Sequence, residues 1–271
     1  WLKPLRGNML SFARAVLGSA VVGASLRMAS VRHVVFLRHG ESECNAGDVI
    51  SGWEDAPLTQ KGRQQSSDAG LRLKEHGISI DVVFTSVLQR AVQSVELVRD
   101  SSGNSAVPVV KSWRLNARLP GVLQGLTEDE AIAKYGEQEV KLWRSSYDVV
   151  PMRLEATDPR HPTNSPLYRD VPFEDLPAAE SMELVLARIL PFWREHIVPR
   201  IRAGESVLVL GHKNSLKALF GYLEHKPAQE VRDIKDASAS QPLVYEFHND
   251  NLTFSRKYFL TAGSPVHTSN L

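Results

Sequence analysis

The residues best equipped for chemistry in this chain are Arg38, His39, Arg90 and His212. Arg38-His39-Gly40 follows the apolar run "VVFL", and His212 closes "SVLVLGH". Arg90 comes one helical turn after "DVVFTS", inside "SVLQRA". Guanidinium groups present planar, paired donors that match phosphate oxygens. An imidazole held beside them can attack phosphorus and carry the group as phosphohistidine. Asn45 and the Ser51-Gly52 backbone offer further neutral donors. A lone histidine is more often a satisfied core residue than a catalyst. Four such residues at three strand ends point instead to one anion-binding mouth.

That convergence needs particular elements. Strand candidates are "RHVVFL" (32–37), "DVVFTS" (81–86), "VPVVKSW" (107–113) and "SVLVLGH" (206–212). Helical patterns separate them: one starts at Thr59 and stops before Gly77, and another is "VLQRAVQSVELV". Short apolar strands alternating with helices predict an α/β, mostly parallel sheet with helices on both faces. Ligands of such sheets bind outside the carboxyl ends of the strands. "PLVYEFHND" and "LTFSRKYFL" read as two strands around a turn at Asn249-Asp250-Asn251. "TEDEAIAKYG" opens with a Thr-x-x-Glu capping box. Residues 151–177 hold six of the fifteen prolines, which predicts a lid-like surface excursion over about 148–179. A helix over 180–202, bent at Pro191 and Pro199, should follow.

The bulk numbers set the class. At 271 residues, 42% hydrophobic and 23% charged, the chain has the composition of a soluble globular protein. A net charge of +1 gives no reason to expect nucleic acid. The single cysteine, Cys44, excludes an intrachain disulfide framework and reads as a packed residue. Charge is uneven: Glu41 is the first acid, while Lys3, Arg6, Arg14, Arg27, Arg32 and Arg38 precede it. Residues 1–31 therefore form a basic, acid-free extension to a domain spanning 32–271. Their composition is that of a mitochondrial targeting or docking segment, with a secretory signal or a buried helix as alternatives. The apolar stretch from Ala15 to Leu26 would span only about 18 Å as a helix, short for a bilayer crossing.

With "LRHGES", "LTxxGxxQ", "TSVLQRA", "LQGL", "KYG", "GHKNSLKAL" and "PLVYEF" in order, residues 32–260 resemble the cofactor-dependent phosphoglycerate mutases of the histidine phosphatase superfamily. The resemblance implies a three-layer α/β sandwich, no metal, and no permanently bound cofactor, with 2,3-bisphosphoglycerate as primer. It implies that His39 is phosphorylated, that Arg38, Arg90 and His212 hold the phosphoryl group, and that Asn45, Ser51, Gly52, Arg144 and Asn214 surround the substrate.

The departures are equally specific. The family's Asn-Glu-Arg-His-Tyr-Gly becomes Asn116-Ala117-Arg118-Leu119-Pro120-Gly121, which removes the general acid and base. Ser145 stands in place of a substrate arginine, Glu128 in place of a lysine, and Lys213 in place of a glycine. Glu128, Asp129 and Glu130 are the nearest substitute acids, although a capping box already accounts for them. The expectation is a catalytically impaired accessory subunit of a mitochondrial assembly, docked through residues 1–31 to protein partners or a membrane surface. The alternatives are an active mutase or a phosphatase of the same superfamily, cytoplasmic if the N-terminal reading fails, with a phosphorylated small molecule as ligand.

Overall fold

In this computed structural model, residues 32–234, 238–247 and 254–263 are described, together with the backbone of 266–267. The strands are β1 (Arg32–Arg38), β2 (Val82–Thr85), β3 (Val109–Lys111), β4 (Val207–Gly211), β5 (Leu243–Phe247), β6 (Phe254–Phe259) and β7 (Val266–His267). They form one sheet in the order β3-β2-β4-β1-β5-β6-β7. The four strands read as parallel neighbours are so, and the β5–β6 hairpin adds antiparallel pairing beside β1. β4 lies between β1 and β2, with Leu210 level with both Leu37 and Thr85. The carboxyl ends of three parallel strands thus share one edge.

Alternation along β1 assigns its residues to two cores. Val34 and Phe36 join Val207 and Val209 on one face, while Val35 and Leu37 join Leu208 and Leu210 on the other. After the short helix α1 (Glu43–Ala46), helices α2 (Gln60–Glu75) and α3 (Gln89–Ser102) cover the second face. Helices α6 (Met182–Phe192), α7 (Val198–Arg202) and α8 (Lys213–Leu223) cover the first. Residues 34–37 have no exposed surface, because a strand between two helical layers has no solvent face. Burying each such side chain contributes roughly 1.5–3 kcal/mol. The result is a three-layer α/β sandwich.

Local signals set the boundaries. Thr59 caps α2 by accepting from Gly62 N–H, and Gly103, at φ 79°, closes α3. The capping box of α4 (Glu128–Tyr135) is formed by Thr127 and Glu130. Between α6 and α7 the expected continuous helix widens into a π turn, Trp193–Ile197. Pro199 has no N–H, and its ring crowds the carbonyl four residues back, so the chain adds a residue and Val198 N–H donates to Trp193 O.

The proline-rich excursion holds only short 3₁₀ turns, as its proline density predicts. It is a buttress for the neighbouring loops. Val122 N donates to Met152 O, and the Arg160 guanidinium donates to Val122 O at 3.3 Å and to Gln124 O at 2.7 Å, while Leu154 N closes the excursion on itself at Ala178 O. Tyr168 is buried against Trp53, with ring centroids 4.9 Å apart. The basic segment 1–31 and the turn at 249–251 lie outside the described residues. Among the described residues no helix is long and apolar enough to cross a membrane.

Candidate active site

His39 leaves β1 at the sheet edge, its N–H donating to Gly211 O at 3.0 Å. The residue is 4% exposed, and its Nδ1 lies 2.6 Å from Gly40 O. A carbonyl can only accept, so Nδ1 carries the proton. Burial, then the Arg90 and Arg38 charges, hold the imidazole well below its usual pKa. His39 is therefore neutral, with an unprotonated Nε2: the nucleophilic tautomer. The backbone is fixed by contact. A Cβ on Gly40 would stand 2.1 Å from Gly62 O, so only glycine lets the start of α2 approach this closely. Gly40 N donates to Ser94 Oγ at 3.0 Å, which ties the loop to α3.

His212 leaves β4 beside it, ring centroids 4.9 Å apart. Its Nε2 pairs with Ser86 Oγ at 2.8 Å, just beyond β2, while Nδ1 is buried with no partner among the described residues. Ser86 Oγ accepts from Leu88 N–H, so its own proton can go to Nε2 and leave Nδ1 protonated. Such a donor suits a phosphoryl oxygen. Burial, followed by the Arg90 charge, pushes the His212 pKa well down as well.

Arg90, 2% exposed, donates from Nη1 to Glu54 O at 2.6 Å and from Nη2 to Gly52 O at 2.9 Å. Burial lowers its pKa to about 10, which still leaves it cationic at neutral pH. Gly52 has φ 52°, and a Cβ there would meet Pro120 Cδ at 2.3 Å. Glycine is required on both counts.

These groups open into one pocket of about 550 Å³. It gathers every residue singled out from the sequence: Arg38, His39, Arg90, His212, Asn45, Ser51, Gly52, Arg144 and Asn214. Asn45 spends its carbonyl oxygen on the Ser42 N–H and hydroxyl, leaving its amide NH₂ as the donor it can offer. Cys44 lies beside Ser51 half-buried, and burial pushes its thiol pKa up, away from nucleophilic character. No residue of the 148–179 excursion is among those that line the pocket.

Sequence reasoning missed two charged residues of the wall. Arg118 is buried, donates to Trp143 O at 3.0 Å, and has its pKa lowered by burial to about 10. Its position two residues after Asn116 was the available signal. Among the described residues Asp48 is the acidic residue that lines the pocket, in a left-handed turn at φ 53°.

Glu128, Glu130 and Glu180, the glutamates nearest the altered loop, are each already engaged. Ala117 lines the pocket, and its carbonyl is fixed by Trp53 Nε1 at 2.6 Å and Arg188 Nη2 at 3.1 Å. Behind this loop Glu180 accepts from Leu119 N and pairs with Arg188 at 2.6 Å, both buried. Glu130 is spent on the capping box. Glu128 pairs with Arg144, so that guanidinium reaches the pocket already engaged. Among the described residues no three of His, Cys, Asp and Glu gather as a metal site.

A strand-end histidine pair within an arginine cradle is the arrangement of histidine-based phosphoryl transfer. The profile of the histidine phosphatase superfamily (branch 1) matches residues 34–257, and the chain belongs to that superfamily. Within it the chain is phosphoglycerate mutase-like. It is 41% identical over 225 residues to a 2,3-bisphosphoglycerate-dependent phosphoglycerate mutase of Actinobacillus succinogenes, covering 83% of this chain and 99% of that one. A mutase of the same description from Borreliella burgdorferi is 40% identical, covering 86% and 93%. Among solved structures, Bacillus stearothermophilus YhfR superposes with a TM-score of 0.63 at 25% identity, over 82% of this chain and 94% of that one. A mycobacterial glucosyl-3-phosphoglycerate phosphatase shares the fold, with a TM-score of 0.64 at 21% identity over 84% and 97%.

Proposed function

We propose that this chain transfers a phosphoryl group through His39 Nε2, as a 2,3-bisphosphoglycerate-primed phosphoglycerate mutase slowed at proton transfer. The observation that carries this is the neutral, Nδ1-protonated His39 beside Arg38, Arg90 and His212. In the step, Nε2 attacks phosphorus, and the N–P bond forms as the P–O bond to the substrate breaks. Arg38, Arg90 and the orphaned His212 Nδ1 take the charge on the transferring oxygens. 2,3-Bisphosphoglycerate would supply the phosphoryl group that loads His39, and the same residues would hold it. The departing oxygen needs a proton that Ala117 cannot give. Positioned proton transfer is typically worth about 10²–10⁴ in rate.

A second reading rests on the same alanine. Loss of the acid, together with the Glu128–Arg144 pair, favours a catalytically impaired accessory subunit. In that reading the basic segment 1–31 docks in a mitochondrial assembly. One experiment separates the two. The chain is incubated with 2,3-bisphosphoglycerate, acid-labile phosphohistidine is measured, and interconversion of 2- and 3-phosphoglycerate is followed. Loading with turnover supports the mutase, and loading without turnover supports the accessory subunit. Absence of any loading refutes phosphoryl transfer at His39.

A further inference from the structure

We propose that Glu128 is a specificity determinant that competes with the substrate for Arg144, so that the pocket holds the carboxylate of phosphoglycerate less tightly than it would with Arg144 unengaged, and discriminates less against phosphomonoesters whose remainder is uncharged. The inference rests on reading the pocket as a phosphoryl site. One phosphoryl group is served by Arg38, Arg90 and His212 at the strand ends. A second anionic group, such as the carboxylate of phosphoglycerate, needs a further cation. Arg118 is buried and donates to the Trp143 carbonyl. Arg144, near the end of α5 (Glu137–Ser145), lines the pocket but holds the carboxylate of Glu128, the first residue of α4. Thr127, next to Glu128, bridges to Val49 of the pocket wall, so the Glu128 backbone is tied to the site itself.

A substrate carboxylate at Arg144 must share that guanidinium with Glu128 and meets that residue's negative charge as it approaches, even though Arg118 and Lys213 add further positive charge to the wall. A phosphomonoester with a neutral tail meets neither obstacle. The pair is partly solvated, with the Arg144 and Glu128 side chains 39% and 60% exposed, so its strength is that of a surface ion pair. Removing it should shift affinity on the order of fivefold rather than a thousandfold.

The test is calorimetric binding of 3-phosphoglycerate and of glycerol 3-phosphate to the full chain. Wild type, Glu128→Gln and Asp129→Asn are compared. Asp129→Asn removes the same charge one residue along α4, where the side chain is exposed. Glu128→Gln should tighten 3-phosphoglycerate about fivefold and leave glycerol 3-phosphate within about twofold. Asp129→Asn should move neither by more than about twofold. Equal tightening of both ligands, no tightening, or the same gain in Asp129→Asn overturns the proposal. If neither ligand nor inorganic phosphate binds, the phosphoryl-site reading falls and the proposal falls with it. If both bind with the predicted split but His39 is never phosphorylated, the transfer reading fails while the role of Glu128 stands.

Discussion

The imidazoles of His39 and His212 stand 4.9 Å apart, their planes tilted by 56°, at the ends of two hydrogen-bonded parallel strands. Two imidazolium ions could not share this buried edge with Arg38 and Arg90. The arginines keep their charge, and the histidines yield theirs. That ordering sets cationic guanidinium groups beside neutral imidazoles at neutral pH, as the proposed phosphoryl transfer requires.

A pH dependence of stability follows. The folded-state pKa of each imidazole lies below the usual 6.5, so below that pH the unfolded chain binds more protons than the folded one. Stability from these groups is complete above about pH 6.5 and is lost as pH falls. Thermal unfolding should move to lower temperature from pH 7 to 5. Replacing His39 by Gln should flatten that slope by about 1.4 kcal/mol per pH unit. An unchanged slope would mean that His39 is already protonated in the fold.

Ala117→Glu should restore a proton donor from a backbone that Trp53 and Arg188 hold in place. Transfer from an alkyl phosphate should rise by up to roughly 10²-fold. p-Nitrophenyl phosphate, whose leaving group needs no proton, should change little. Parallel gains with both substrates would show that the new side chain acts by something other than proton transfer.

Gly52→Ala should damage the site through its backbone. The added methyl group would meet Pro120 and Gln124 Oε1, the acceptor of Trp53 N–H, at a residue of positive φ. A loss of roughly 1–3 kcal/mol is expected, with displacement of the Gly52 carbonyl that holds Arg90. Denaturant unfolding and phosphate affinity should both fall.

Arg188→Leu should destabilise by about 3–5 kcal/mol, since Glu180 would keep a buried, unpaired charge. The Arg188 guanidinium also caps the carbonyls of Arg114 and Ala117. Urea unfolding reads this directly. A cost under about 1 kcal/mol would place the pair among ordinary surface ion pairs.

Deleting residues 1–31 should leave the domain intact, because β1 begins at Arg32 and all its ladder partners lie C-terminal to it. The cooperative unfolding transition of the truncated chain should match that of the full chain within a few degrees. Loss of cooperative unfolding would mean that the segment is part of the core.

The alternation of "VVFL", "DVVFTS" and "SVLVLG" with amphipathic helices fixed the parallel sheet, and with it the meeting of Arg38, His39, Arg90 and His212 at one edge. This was legible because strand polarity and side-chain period are local properties of the chain. The loss of the acid at position 117 was legible too, since no tertiary contact turns a methyl group into a proton donor. Other features depended on neighbours distant in sequence. The tautomer of His39 follows from the Gly40 carbonyl and the field of Arg90, fifty-one residues away. The 148–179 excursion reads as a lid from proline content, and that its Met152 carbonyl and Arg160 also bind the 122–124 loop was not visible from proline content. Glu128 and Arg144, each singled out from the sequence but sixteen residues apart, become partners only when α4 and α5 fold against each other. Charge pairing depends on three-dimensional distance, which the local pattern of a sequence does not encode.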